Sequence, residues 1–134
     1  MKKSILKDKR IMVDMSATII HHGHIRLLKK ANEIGTVIVA LTTDNEIIKK
    51  KNIKPELNFN QRKEILEAIK YVDKVVPTKW LIDDKFLVKH KIDFLVHGND
   101  NVNSITKNKI IIFKRTKGIS SSLIRQRAAH NNVK

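Results

Sequence analysis

The chain has 134 residues, 41% of them hydrophobic, which is enough for one globular domain with a buried core and too little for two. It has no cysteine, which excludes disulfides and cysteine-ligated metal sites, and no apolar run approaches the length of a membrane span. The net charge of +15 favours anionic partners, although a lysine-rich composition can also follow from the base composition of a genome.

The first half of the chain alternates between apolar runs and helical patterns. The apolar run at 10–15 predicts a strand, and Gly35 stands where a helix C′ glycine is expected. Between them, apolar residues recur at helix spacing: Ile25, Leu28, Ala31 and Ile34. The run at 36–41 is continuous, which is typical of a strand buried on both faces. Asp44 can then cap a short helix ending at Ile48, followed by a basic loop.

The second half continues the same alternation. Asn60 is predicted to cap an amphipathic helix over 61–71. The elements predicted after it are a strand at 74–77, a helix at 81–90, strands at 92–96 and 110–113, and a last helix at 121–129.

Strict alternation of strands and helices predicts a doubly wound, Rossmann-like α/β domain in three layers. Five parallel strands are expected in the order 3-2-1-4-5, with helices on both faces. One domain should span 1–134, with loose ends at about 1–9 and 130–134.

The stretch His21-His22-Gly23-His24 lies between the first strand and the first helix. A helix N-terminus presents free N–H groups and the positive end of the dipole, so it attracts anions. His21 and His24 add donors, and Gly23 would let the backbone approach a ligand. The pattern indicates a phosphate-handling site, or else a histidine-rich cap or a chance metal pair.

The glycines support a ligand site at one rim of the sheet. In the predicted order, strands one and four are neighbours at the switch point, where ligands bind at the carboxyl ends of strands. Of the chain's 4 glycines, Gly23, Gly98 and Gly118 follow strands one, four and five. This rim also collects the polar residues His21, His24, Asp100, Arg115 and Ser120.

These residues carry a resemblance to a known family. His21-His22-Gly23-His24 resembles the HxGH signature of the nucleotidyltransferase superfamily. The block at 115–121, Arg-Thr-Lys-Gly-Ile-Ser-Ser, is similar to the arginine-containing, glycine–isoleucine–serine element of its cytidylyltransferase branch. Three further segments match the same branch: 60–63, 70–73 and 97–100. The chain departs from the usual pattern at Thr18, where the family usually has aspartate, and at Asn99-Asp100-Asn101.

The resemblance implies that a phosphate or phosphonate oxygen attacks the α-phosphorus of CTP and releases pyrophosphate. Such chemistry needs positioning and stabilisation of negative charge. The implied catalytic residues are His21, His24, Arg115 and Lys51. The implied nucleotide- or acceptor-binding residues are Met15, Ser16, Gly23, Lys50, Arg62, Gly98, Asp100, Gly118, Ile119, Ser120 and Ser121.

Several of these roles have alternatives. The sequence does not distinguish which lysine contacts phosphate: Lys49, Lys50 or Lys51. Arg62 either binds acceptor phosphate or is a surface charge on a helix. The hydroxyls of Ser120 and Ser121 either bind the β,γ-phosphates, cap a helix, or do both. Asp100 would accept a hydrogen bond from the cytosine amino group.

The expected partners are CTP, with Mg²⁺ held mostly by phosphate and water, and a small acceptor. No metal site made of protein side chains, no nucleic acid and no membrane insertion is expected. The acceptor is glycerol phosphate, phosphoethanolamine, phosphocholine or a phosphonate. A cytoplasmic homodimer is expected, with part of its interface at 77–86. The alternatives are an adenylyltransferase of the same superfamily and a basic nucleic-acid-binding module with a dead nucleotide site.

Overall fold

The computed structural model describes residues 8–98 and 103–130. Its centre is a five-stranded parallel sheet in the order β3-β2-β1-β4-β5, which confirms the predicted topology. The strands are β1 (Arg10–Met15), β2 (Thr36–Thr42), β3 (Lys74–Thr78), β4 (Phe94–Gly98) and β5 (Ile110–Phe113).

Helices separate successive strands, except that a short 3-10 helix at Lys107–Lys109 precedes β5. The α-helices are α1 (His22–Ile34), α2 (Asp44–Lys51), α3 (Phe59–Glu67), α4 (Asp84–Lys89) and α5 (Ser121–His130).

The sheet buries both of its faces, as continuous apolar strands require. Alternate strand residues point to opposite sides, so Ile11 and Val13 pack with Leu28 of α1 and Leu66 of α3. On the other face, the residues packed around Leu87 of α4 are Met12, Ile38, Ala40, Ile82 and Leu95. The result is the predicted three-layer arrangement.

The boundaries of three helices, α2, α3 and α4, differ from the predicted ones, and α3 also ends earlier than predicted, at Glu67. The helix α3 begins at Phe59 because Asn58, rather than Asn60, is its cap: Asn58 and Gln61 each accept a 2.9 Å hydrogen bond from the other's backbone N–H. The helix α2 continues to Lys51, so the first three lysines of the expected basic loop are helical. The helix α4 begins after Asp83, which caps it through the N–H of Phe86.

Gly35 has a different role from the one predicted. Its φ of −176° is extended backbone rather than the left-handed conformation of a C′ glycine. An added Cβ would lie 2.4 Å from the carbonyl oxygen of Lys9, the same oxygen that accepts a 2.9 Å hydrogen bond from Thr36. Glycine is therefore required here by the close approach of two backbone segments.

Arg62 is fully buried, so it is neither an acceptor-phosphate ligand nor a surface charge. Its guanidinium donates to the carbonyl oxygens of Leu57 (3.0 Å), Ser16 (2.6 Å) and Thr42 (3.0 Å). A fourth hydrogen bond, 2.6 Å long, joins it to the carboxylate of Asp44. One side chain thus ties the ends of β1 and β2 to the helices α2 and α3.

We expect Arg62→Met to lower the free energy of unfolding by about 3 kcal/mol or more, because it removes the cation paired with Asp44 and the donor to three carbonyls. The measurement is urea unfolding. The matched control is Lys63→Met, which removes only a surface ion pair of 3.8 Å with Glu67 and should stay within about 0.5 kcal/mol of the wild type. Equal unfolding midpoints for the two variants would contradict this account.

Candidate active site

An open pocket of about 760 Å³ lies at the carboxyl ends of β1 and β4. Its walls come from the segment after β1, the start of α1, and the chain leading into α5. Eleven of the residues predicted for the site line it: Met15, Ser16, His21, Gly23, His24, Lys51, Gly98, Arg115, Ile119, Ser120 and Ser121.

Three predicted site residues lie outside this lining. Besides Arg62, they are Lys50 and Gly118. Of the three consecutive lysines, Lys51 lies on the pocket wall. The Nζ of Lys49 lies 3.9 Å from Oε2 of Glu46. Gly118 has a φ of +78°, so its role is to allow the turn before α5. Asp100 lies outside the described residues.

The two histidines of the HxGH stretch cap the helix α1. His21 is the N-cap residue, and its Nδ1 accepts a 3.1 Å hydrogen bond from the N–H of Gly23. The Nδ1 of His24 accepts in turn from the N–H of His21, also at 3.1 Å. This is a reciprocal capping box with imidazoles in place of the usual hydroxyl and carboxylate. Since both Nδ1 atoms accept, the proton of each neutral ring is assigned to Nε2.

The surroundings of the two rings favour their uncharged form. Burial, then the neighbouring His21 and Arg115, lower the pKa of His24 to about 3. Burial, followed by His22 and Arg115, also lowers the pKa of His21. His22 is exposed and does not line the pocket. At neutral pH, His24 is therefore a neutral donor with its single N–H at Nε2, and the environment of His21 favours the same state.

The absence of a side chain at Gly23 leaves room for the imidazole of His21, as well as for a ligand. An added Cβ would lie 2.9 Å from Cε1 of His21 and 3.4 Å from Cγ2 of Ile119. A larger residue at 23 would therefore displace the capping imidazole.

The opposite wall is the segment from Lys114 to Ser122, which leads into α5. The Oγ of Ser120 accepts a 3.0 Å hydrogen bond from the N–H of Leu123, so the predicted capping role is present. The Oγ of Ser121 donates to the carbonyl of Ile19 at 2.8 Å and accepts from the same residue's N–H at 3.1 Å. Ser121 thus joins the start of α5 to the segment just before His21.

A polar cluster at the pocket floor is not among the residues predicted for the site. The Oδ1 atom of Asp14 lies 2.5 Å from Nδ1 of His97, at the ends of the adjacent strands β1 and β4. Asn103 donates to the other oxygen of Asp14 at 3.3 Å and accepts from the N–H of Ile82 at 2.7 Å. The sequence signal was the carboxylate of Asp14 inside a strand whose other residues are apolar except for Arg10 at its start.

Trp80 also lines the pocket. Its ring centroid is 5.8 Å from Nζ of Lys51, within range of a cation–π contact.

Within residues 8–98 and 103–130, no group of three or more His, Asp or Glu side chains is placed to hold a metal ion. Over the same ranges, no helix combines the length and apolar character needed to cross a membrane.

The capping arrangement makes a testable prediction for stability. The pKa of His24 is about 3 in the folded state against an ordinary value of 6.5, so between these values the unfolded chain binds more protons. Stability should therefore fall as the pH falls below about 6.5, by up to about 2 kcal/mol from this residue at about pH 5. His24→Gln keeps a side-chain acceptor for the capping bond but cannot titrate. In urea unfolding, the free energy of unfolding of this variant should fall less between pH 7 and pH 5 than that of the wild type. An equal fall in both proteins would contradict the assignment.

Comparison with known proteins places this geometry in a family. The family model described as cytidylyltransferase-like matches residues 16–127. The glycerol-3-phosphate cytidylyltransferase of Staphylococcus aureus is 39% identical over 88% of this chain and 93% of its own length. The Bacillus subtilis enzyme of the same name is 32% identical over 90% of this chain and 98% of its own length.

Two further similarities are narrower. Mouse ethanolamine-phosphate cytidylyltransferase is 39% identical over 68% of this chain, which spans 23% of that protein. The structure of a lipopolysaccharide core biosynthesis protein from Thermoplasma volcanium shares the fold, with a TM-score of 0.68, 20% identity, and coverage of 81% of this chain and 98% of that one. The matched family model and the two bacterial relatives together show that the chain belongs to the cytidylyltransferase-like family and is a cytidylyltransferase.

Proposed function

We propose that the protein transfers CMP from CTP to a small phosphorylated alcohol or phosphonate and releases pyrophosphate. Glycerol 3-phosphate is the first acceptor to test. The support is that two bacterial relatives named for this acceptor match the chain over 93% and 98% of their own lengths.

The observation that carries the proposal is the pair of capping histidines. An oxygen of the acceptor phosphate attacks the α-phosphorus, the bond from this phosphorus to the bridging oxygen of the β-phosphate breaks, and pyrophosphate leaves. Negative charge grows on the leaving group and on the α-phosphate oxygens during this step. His21 and His24 each have Nδ1 fixed on the backbone. Their Nε2–H groups are thereby held as donors for that charge at little reorganisation cost.

The remaining site residues supply positive potential. In this proposal Arg115 binds phosphate oxygens through its fork, and the N-terminus of α5 at Ser120 and Ser121 binds the β,γ-phosphates. Lys51 binds a phosphate from the nucleotide or the acceptor, and the backbone near Met15, Ser16 and Gly98 lines the cradle. The selection of cytosine by Asp100 stays a prediction, as does the homodimer.

Mg²⁺ is part of the proposal as a companion of the nucleotide. In this proposal the ion is held mostly by phosphate oxygens and water. It would neutralise triphosphate charge, while the side chains named above bind and orient the phosphates.

A second acceptor class is favoured by one observation. Asp14 is one of two carboxylates, with Glu33, in a pocket whose charged lining residues are mostly basic, and its side chain is only 9% exposed beside His97. A carboxylate there can pair with an ammonium group, so an aminoalkyl phosphate or phosphonate is the alternative acceptor.

Pyrophosphate release should require CTP, with ATP and UTP much weaker. His21→Asn and His24→Gln should each lower kcat about 100-fold or more, because they keep a capping side chain but lose the imidazole donor. Thermal unfolding with and without CTP reports nucleotide binding separately.

The matched control is His22→Ala, which removes an exposed imidazole between the other two and should change kcat little. An equal loss in all three variants would show that the donor assignment is wrong. Release from ATP in preference to CTP would contradict the cytidylyl donor.

The two acceptor classes separate in a competition between glycerol 3-phosphate and phosphoethanolamine. If Asp14 binds an ammonium group, Asp14→Asn should raise the KM for phosphoethanolamine about tenfold and leave the KM for glycerol 3-phosphate within about twofold. Equal changes for both acceptors would assign Asp14 to the support of His97 and Asn103 instead.

A further inference from the structure

The helix α5 is attached to the domain by polar contacts. None of its residues is buried, although its first turn forms one wall of the pocket. Ser121 and Arg125 lie four residues apart, so they share one face of the helix. This face lies against Thr18 and Ile19, in the segment that leads directly to His21. The contacts of these two residues thus link the two walls of the pocket.

Arg125 makes the second of these attachments through two nitrogens of its guanidinium, Nε and Nη2. Its Nε donates to one carboxylate oxygen of Glu56 at 2.5 Å, and its Nη2 donates to the other at 2.8 Å. The same Nη2 lies 2.9 Å from the hydroxyl of Thr18, a side chain only 1% exposed. Arg125 therefore joins three segments: α5, the loop before α3, and the loop before α1.

Two attachment points on one face of α5 fix the orientation of the helix, which a single attachment point would not. With Ser121 alone, the helix could pivot about the contact with Ile19 and change the direction of its N-terminus. The bidentate contact with Glu56 fixes the helix one turn further on. A small rotation of α5 would move Ser120 relative to His21 and His24, and reaction rates are sensitive to such displacements.

We propose that Arg125, held by Glu56 and Thr18, is a positioning residue. It sets the separation between the two walls of the nucleotide site, one formed by His21 and His24 and the other by the start of α5. The inference rests on the proposed function, in which one CTP contacts both walls. Arg125 acts through α5 and needs no contact with the substrate.

The distinguishing property of such a residue is that it affects nucleotide use more than folding. The Arg125 and Glu56 side chains are 29% and 42% exposed, and exposed ion pairs contribute little to global stability. No residue of the helix that they hold is buried, so α5 adds little to the apolar core. Loss of the ion pair should therefore leave the unfolding temperature nearly unchanged.

The principal variant is Glu56→Gln, which keeps the shape of the side chain and removes its charge. We expect the KM for CTP to rise about fivefold or more, the KM for the acceptor to stay within about twofold, and the unfolding temperature to change by about 1 °C or less. Arg125→Lys keeps the charge but loses the fork, and should raise the KM for CTP in the same direction.

The matched control is Glu67→Gln. It is the same substitution with the same change of net charge, at a surface ion pair with Lys63 that lies outside the pocket lining. Its KM for CTP should equal that of the wild type.

A rescue variant tests the geometry directly. In Thr18→Asp/Glu56→Gln, a carboxylate at position 18 lies beside the Nη2 that Thr18 now contacts, so the KM for CTP should return to within about twofold of the wild type. The proposal is overturned if Glu56→Gln and Glu67→Gln have the same KM for CTP. It is also overturned if the double variant is no better than Glu56→Gln while remaining folded. A wild-type protein that releases no pyrophosphate from CTP is a different result, because it refutes the proposed function and removes the shared ligand on which this inference rests.

Discussion

The pairing of β1 with β4 in a parallel sheet determines where the chemistry of this protein can occur. Parallel strands end at the same edge, and the chain leaves β1 and β4 towards different neighbours, which opens a crevice between them. The start of α1 enters the crevice from one side and the start of α5 from the other. Two helix N-termini thus face one space, and their partial positive charges add to those of Arg115 and Lys51.

The residues around this crevice combine structural and chemical roles. Arg62 uses its charge entirely inside the protein, where it holds the ends of β1 and β2 against two helices. His21 and His24 use one ring nitrogen each to complete a helix cap, which leaves the other nitrogen available. Ser120 and Ser121 use their hydroxyls to cap α5 at the N–H of Leu123 and to attach it to Ile19. The geometry of the site is therefore fixed by the same hydrogen bonds that fix the fold.

Sequence reasoning predicted the sheet order and the pocket because these depend on local patterns. Apolar runs mark buried strands, and the placement of Gly23 and Gly98 at the carboxyl-terminal edge of the sheet follows from chain order. The role of Arg62 could not be found in this way, since its carbonyl partners Leu57, Ser16 and Thr42 come from three separate segments. Lys51 lines the pocket and Lys50 does not. This difference depends on where α2 ends and on which side of the helix each lysine lies, and a run of identical residues does not encode either. The contact made by Thr18, which stands where the family usually has aspartate, was likewise hidden in the sequence. Its hydroxyl accepts a hydrogen bond from Arg125, near the other end of the chain.

The imidazole capping box also has an evolutionary consequence. A lineage that lost its substrate would still be selected to keep α1 folded, and the cap can be satisfied by several residues. Once catalysis no longer mattered, Asn or Ser could replace His21, and Gln or Glu could replace His24, at little cost in folding. Loss of activity in this architecture would therefore leave a recognisable record, with substitutions at 21 and 24 confined to capping side chains while Gly23 stays fixed until the imidazole at 21 is gone.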